Sequence, residues 1–126
     1  MDNGNMDGGL VAVYGTLMQG GANHHYLLRA KYLGTETLYS LVLYDLGDYP
    51  GAVLQDSEGI ELEVYSVGAK TLAALDALEE VNAESAHLGL YRRVRCSTQY
   101  GQAWIYLYNK DISGSNMLTK GRWQSS

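Results

Sequence analysis

Hydrophobic positions along the 126 residues fall into short runs with two different periods. "LVAVY" at 10–14 is almost continuously apolar and stops at Gly15, as a strand buried on both faces would. "NHHYLLRAKYL" at 23–33 sets apolar residues at helical spacing behind Asn23, a favourable N-cap residue, and predicts a short helix. "GTETLYSLVLYDL" at 34–46 carries β-branched and aromatic residues in partial alternation. It predicts one strand, closed by the turn "GDYPG", which holds the only proline. "IELEVYSV" at 60–67 alternates at Ile60, Leu62 and Val64 and continues out of phase at Tyr65 and Val67, again a strand.

The second half begins with the strongest helical segment, "AKTLAALDALEEV" at 69–81, rich in Ala, Leu and Glu. A polar connector, "NAESAHLG", follows. "LYRRVRCSTQYGQAWIYLYN" at 90–109 then predicts two strands turning around Tyr100 and Gly101. The tail from Asp111 contains turn-forming residues, with Trp123 placed to anchor it on the body. The order β, α, β, β, α, β, β predicts an α+β domain whose mixed sheet curls toward a small barrel flanked by short helices. Residues 1–9, nearly devoid of apolar side chains, are expected to be a disordered extension, and 10–126 a single domain.

Composition narrows the function classes. The net charge is −5 and the nine Lys and Arg are scattered, so the basic stripe that nucleic-acid binding needs is missing; nucleic acid and anionic membranes are set aside as partners. One cysteine, Cys96, forms no internal disulfide, and with no basic-then-apolar leader pattern the expected compartment is the cytoplasm. No run approaches the roughly 18 apolar residues of a membrane span. Eleven Tyr and two Trp with no Phe give every ring a polar handle, which suits half-buried strand faces or a cavity with a polar lining.

Several apparent motifs dissolve on inspection. The spacing from Gly15 to Gly20 imitates a phosphate-binding P-loop, but Gly21 and Ala22 stand where Lys and Ser/Thr are required. His24 and His25 are neighbours that project apart, and His87 sits in a polar connector without a partner at ligand spacing, so a metal site is not supported. Arg93 and Arg95 share one strand face and Arg92 the other, as a solvated or edge-protecting strand would show. These arginines near Cys96 raise the option of a reactive thiol, against the commoner role of a buried small apolar group.

One acid departs from the pattern. At about 100° per residue, Leu72, Leu75 and Leu78 define one helix face, and Glu79 lies within about 40° of its centre, whereas Glu80 lies about 140° away. Glu79 therefore points inward and Glu80 toward solvent. An inward carboxylate is costly unless bonded, paired or lining a cavity, and burial moves its pKa up toward the range useful for proton transfer. The structural alternative is that Glu79 reaches outward or pairs with an arginine of the next strand.

The ordered set "VYGTL" at 13–17, "NHHYLL", "YPGAV" at 49–53, "EVYSV" at 63–67, "LDALE" at 75–79 and "YRRV" at 91–94 resembles the γ-glutamylcyclotransferase-like superfamily, most closely its short γ-glutamylamine cyclotransferase branch. The likeness runs from Val11 to Tyr108. It implies a small mixed β-barrel flanked by helices, a substrate loop of Tyr14, Gly15, Thr16 and Leu17, Glu79 as general acid/base, and Tyr91 lining the pocket. Two departures stand out. The family usually carries Gly before "EVY" where Leu62 and Glu63 stand here, and the connector from Glu80 to Leu90 is longer than the usual link.

The implied reaction releases 5-oxoproline and a free amine from a γ-glutamyl amine or amide, through attack by the substrate's own α-amino group, with no cofactor and no metal. Ring closure is intramolecular, and holding the chain folded contributes at most roughly 7–11 kcal/mol. The expected partner is therefore a small γ-glutamyl molecule, with the protein a monomer or homodimer. The same cavity used as a non-catalytic metabolite-binding module is the alternative, and a thiol enzyme using Cys96 the third reading.

Overall fold

The computed structural model describes residues 6–124. Eight strands and one α-helix form a mixed α+β domain: β1 (Gly9–Val13), β2 (Lys31–Leu38), β3 (Leu41–Asp45), β4 (Pro50–Leu54), β5 (Ile60–Val67), α1 (Ala69–Leu78), β6 (Tyr91–Thr98), β7 (Gly101–Tyr108) and β8 (Asn116–Leu118). Short 3-10 turns occupy His24–Leu27 and Ala86–Leu88. A five-stranded sheet runs β2-β5-β1-β7-β6 and a three-stranded sheet β4-β3-β8.

β1 sits at the centre of the larger sheet, antiparallel to β5 and parallel to β7. Its Val11, Ala12 and Val13 are buried on alternate faces, which is why the segment reads as a continuous apolar run rather than an alternating one. Ala12, Leu62, Val64, Ile105 and Leu107 face the smaller sheet and pack on Leu43 and Ala52. On the opposite face, Val11, Val13, Val67 and Tyr106 pack on Leu75 of α1 and Leu27 of the first 3-10 turn. The phase change noted at Tyr65 and Val67 in β5 thus marks a strand with two buried faces.

Several local expectations need correction. The helix over 23–33 shrinks to a 3-10 turn because the Asn23 amide bonds to Thr16 Oγ1 at 3.0 Å instead of capping its own helix, and Lys31 onward pairs with β5. The single strand over 34–46 is two, bent at Tyr39 and Ser40, with β2 and β3 in different sheets. Pro50 opens β4 instead of ending a turn, and Asn116–Leu118 adds a strand to β3 where the pattern gave only turn residues. The last two strands form the expected hairpin, its turn at Gln99 and Tyr100, one residue earlier than the pattern placed it.

Among the described residues the strands do not close into a barrel by a continuous ladder. β4 comes close to β7 at Gly51, where a Cβ would meet Tyr108 Cβ and Cγ at 2.7 Å, yet the two strands exchange no ladder bonds. Tyrosine hydroxyls occupy the gap. Tyr14 Oη accepts the Ala52 N–H at 3.3 Å and donates to the Tyr106 carbonyl at 2.6 Å, while Tyr91 Oη donates to the Pro50 carbonyl at 2.7 Å. Their hydroxyls satisfy backbone groups of the β4 edge, which phenylalanine could not do.

At the amino end, residues 1–5 of the expected extension lie outside the described residues. Within them, Met6 N–H bonds to Ser66 Oγ at 2.9 Å and Asp7 Oδ1 accepts the Ala69 N–H at 2.7 Å, at the first turn of α1.

Candidate active site

Glu79, Tyr14, Gly15, Thr16, Leu17 and Tyr91, singled out in the sequence, all line one cavity of about 330 Å³. Two structural decisions bring them there. The chain leaving β1 turns sharply, with the Met18 N–H bonding to the Gly15 carbonyl at 3.0 Å, and Gly15 lies so close to Pro50 that a Cβ would meet its ring at 2.5 Å. α1 ends where Glu79 is its C-terminal cap residue, with the Glu79 N–H on the Leu75 carbonyl at 2.9 Å.

That helix end explains the split between the adjacent acids. Val81 N–H bonds to the Asp76 carbonyl at 3.0 Å and Glu80 N–H to the Ala77 carbonyl at 3.2 Å, the paired closure of a Schellman motif. It places Glu80 in the left-handed region at φ 54°, exposed at the cavity rim, while Glu79 stays on the inner side. Among the described residues no donor reaches the Glu79 carboxyl, and burial pushes its pKa up to about 7. At neutral pH this group both accepts and donates a proton with little bias.

The loop after β1 lines the same cavity and has unclaimed donors. Among the described residues, no acceptor takes the N–H groups of Gly15, Thr16 or Leu17. The carbonyl side of the same loop is engaged: Thr16 C=O accepts the Asn23 N–H at 2.9 Å and His24 Nδ1 lies 2.9 Å from the Leu17 carbonyl. With these carbonyls held, the N–H groups of Gly15, Thr16 and Leu17 are the loop's unclaimed backbone donors. Burial, then the nearby Glu79 charge, raises the Tyr14 pKa well above the usual phenol value, so its hydroxyl stays neutral. Burial does the same to Tyr91.

Two contributors escaped the sequence reading. Tyr106 lines the cavity and is tied to α1, its hydroxyl donating to Asp76 Oδ1 at 2.8 Å, while Arg93 bonds to Asp76 Oδ2 at 2.9 Å. Asp76 lies one helical turn before Glu79, and this spacing was the signal available for a tethered helix. Glu63, 3% exposed, accepts the Gln19 N–H and the Tyr65 hydroxyl, each at 2.9 Å, and so holds the far end of the loop that follows β1.

The remaining candidates lie elsewhere. Cys96 packs against the core between the sheets, outside the cavity lining, and burial followed by Glu36 pushes its thiol up to about 11, opposite to what a nucleophilic role requires. Arg93 and Arg95 are not simply solvated: their guanidiniums stand 4.3 and 4.2 Å from the Trp104 ring centroid. The long connector after Glu80 folds back, with Leu90 N–H on the Glu80 carbonyl at 3.0 Å, so its two ends both border the cavity.

Residues 11–125 match the family model described as gamma-glutamyl cyclotransferase, AIG2-like. A Vibrio cholerae protein provisionally named a gamma-glutamylcyclotransferase is 44% identical over 115 residues, covering 90% of this chain and 94% of that protein. The gamma-glutamylcyclotransferase family protein YtfP of Escherichia coli is 36% identical over 113 residues, covering 90% and 94%. Its solution structure superposes with a TM-score of 0.71, covering 90% of this chain and 95% of that one. The gamma-L-glutamyl-butirosin B gamma-glutamyl cyclotransferase of Niallia circulans is 34% identical over 104 residues, covering 79% of this chain and 66% of that protein. A cavity that sets a helix-end glutamate against a Y-G-T-L loop, together with these likenesses along nearly the whole chain, shows that the protein belongs to the gamma-glutamyl cyclotransferase, AIG2-like family.

Proposed function

We propose that the protein cleaves a γ-glutamyl amine or amide to 5-oxoproline and a free amine, with Glu79 as the general acid/base. The observation that carries this reading is the Glu79 carboxyl, buried without a donor among the described residues and raised to about 7, in the same cavity as the unclaimed loop N–H groups. The γ-L-glutamyl conjugate in the name of the Niallia circulans relative supports the substrate class.

The steps follow from that geometry. The substrate's glutamyl head folds so that its α-nitrogen faces its own γ-carbonyl. Glu79 takes a proton from the α-ammonium, and the freed amine attacks the carbonyl carbon. The developing oxyanion, or the α-carboxylate, is held by the N–H groups of Gly15 to Leu17. Glu79 gives that proton to the leaving nitrogen as the C–N bond breaks, then takes the second proton from the ring nitrogen and passes it to the freed amine, so that 5-oxoproline leaves as the neutral lactam and the amine as an ammonium. Closure of a five-membered ring needs only a held conformation and one proton shuttle, and no step calls on a cofactor or metal.

The decisive experiment is Glu79→Gln, assayed for 5-oxoproline with a panel of γ-glutamyl amines. A drop of about a hundredfold or more in kcat with ligand-induced thermal stabilisation retained is expected. Stabilisation by the same ligands without product from the parent chain would establish the binding-module alternative. Undiminished product from the Gln variant would remove Glu79 from the chemistry.

A further inference from the structure

We propose that Asp76, one helical turn before Glu79, is the positioning residue of the cavity: β6 and β7 hold both oxygens of its carboxylate, and this grip sets where the end of α1 and the Glu79 carboxyl stand. This role deepens the reaction proposed above and rests on it for the kinetic readout alone. Packing by itself holds α1 loosely. A ten-residue helix is too short to be stable on its own, and among the described residues of α1 Leu75 alone is buried, with Leu72 and Leu78 half-buried beside it. One buried row leaves the tilt of the last turn underdetermined. No donor among the described residues reaches the Glu79 carboxyl, so its position follows from that of the helix end.

Asp76 adds the constraint that packing lacks. Arg93 and Tyr106 stand directly opposite each other on β6 and β7, and so project from the same face of the sheet. Arg93 Nη1 donates to Asp76 Oδ2 at 2.9 Å and the Tyr106 hydroxyl to Oδ1 at 2.8 Å. Two bonds to one carboxylate from neighbouring points of a sheet fix its orientation as well as its distance. The Arg93 guanidinium is itself held 4.3 Å from the Trp104 ring centroid, and the side chains of the ion pair are only 24% and 29% exposed, which limits screening by solvent. The main chain of the same residue closes the helix: the Asp76 carbonyl accepts the Val81 N–H at 3.0 Å, just beyond Glu79. Tyr106 carries the constraint across the cavity. Its carbonyl accepts the Tyr14 hydroxyl at 2.6 Å, so a single residue spaces the end of α1 from the loop after β1.

The test compares Asp76→Ala with Glu36→Ala, a control that also removes a carboxylate with two bonds, to the N–H and side-chain amide of Gln99, but outside the cavity lining. Two quantities are read: kcat for 5-oxoproline release from γ-glutamyl-pentylamine, and the pH titration of the Glu79 carboxyl by carbon-13 NMR, which needs no turnover. Kd for the same conjugate is measured in the Glu79→Gln background. Glu79 shares the cavity with Tyr14, Asp48, Tyr49, Glu80, Tyr91 and Tyr106, and burial is what holds its pKa up at about 7. With the helix end released, water reaches the carboxyl and its titration midpoint should move about one pH unit down. kcat should drop about thirtyfold while Kd changes less than about twofold. Tyr106→Phe removes one of the two bonds and no charge; it should move kcat and the titration in the same directions by less, and it carries the comparison if Asp76→Ala does not fold. Values of both quantities equal to those of Glu36→Ala would overturn the inference while leaving the cyclotransferase reading in place. A lowered titration in Asp76→Ala that is absent from Tyr106→Phe would reflect the lost charge rather than the lost grip, and would overturn it too. Absence of 5-oxoproline from the parent chain would overturn the cyclotransferase reading instead, and the carboxyl titration would still decide the role of Asp76.

Discussion

Glu79 combines two properties that pull in opposite directions, and both follow from its burial. Its carboxyl is raised from 4.5 to about 7, so the native state holds a proton that the unfolded chain gives up. Below pH 4.5 both states are protonated and the group contributes no difference. Between 4.5 and 7 the unfolded state ionises first and stability falls, and above 7 the full cost of the buried charge is present. Glu79→Gln should therefore raise the stability of the protein at pH 8, by at most roughly 3 kcal/mol, and leave it unchanged at pH 4, as read from urea denaturation at the two pH values. Under the proposed mechanism, in which the base form begins the reaction, turnover should show the complement: log kcat rising with pH and levelling off above an apparent pKa near 7. A flat profile across this range would remove the carboxyl from the rate-limiting proton transfer.

At the scale of elements, the site depends on how α1 ends and how the chain leaves β1. Glu80 occupies the left-handed position of the Schellman closure at φ 54°, a place glycine fills without strain. Glu80→Gly should stabilise the protein by roughly 0.5–1 kcal/mol, measured as a rise in denaturation midpoint. At Gly15 the expectation reverses. A methyl group there would meet the Pro50 ring at 2.5 Å and push the loop after β1 away from β4. Gly15→Ala should destabilise by about 1–3 kcal/mol and cost more than tenfold in kcat/KM, measured by denaturation and product assay. Comparable effects on the two readouts would indicate general unfolding, whereas an activity loss well beyond the stability loss would locate the damage in the loop.

For the whole molecule, the carboxyl end completes the support of the site. Arg122 bonds to Glu61, lies 3.8 Å from Glu63, and so reinforces the residue that holds Gln19, while Trp123 packs on the core between the sheets. The Trp123 Nε1 is buried and meets no partner among the described residues. Trp123→Ala should cost about 2–3 kcal/mol through lost packing. Trp123→Phe, which keeps the ring and removes the unpaired N–H, should cost less than about 1 kcal/mol in the same urea titration. Equal losses from both would assign the anchoring to the indole nitrogen rather than to the ring's packing.

The sequence by itself determined the features that repeat locally. The apolar run of β1, the alternation of β5, the hairpin of β6 and β7 and the face of α1 that carries Glu79 all follow from side-chain period, which is set within a few residues. Tertiary structure decided where neighbours compete for the same backbone. The pattern over 23–33 suited a helix, but pairing of Lys31–Leu38 with β5 outweighed that weak propensity. "PGAV" became a strand because β3 lies beside it, and Asn116–Leu118 because β3 had a free edge. The same holds within the site. Helix period predicted Glu79 inward and the Schellman closure of α1 leaves it there, but the cavity it faces is walled by Tyr14 and Tyr91, far apart in the chain, whose hydroxyls bond the β4 edge. Period along a chain is a local property, whereas a gap between two strands is fixed only when both are in place.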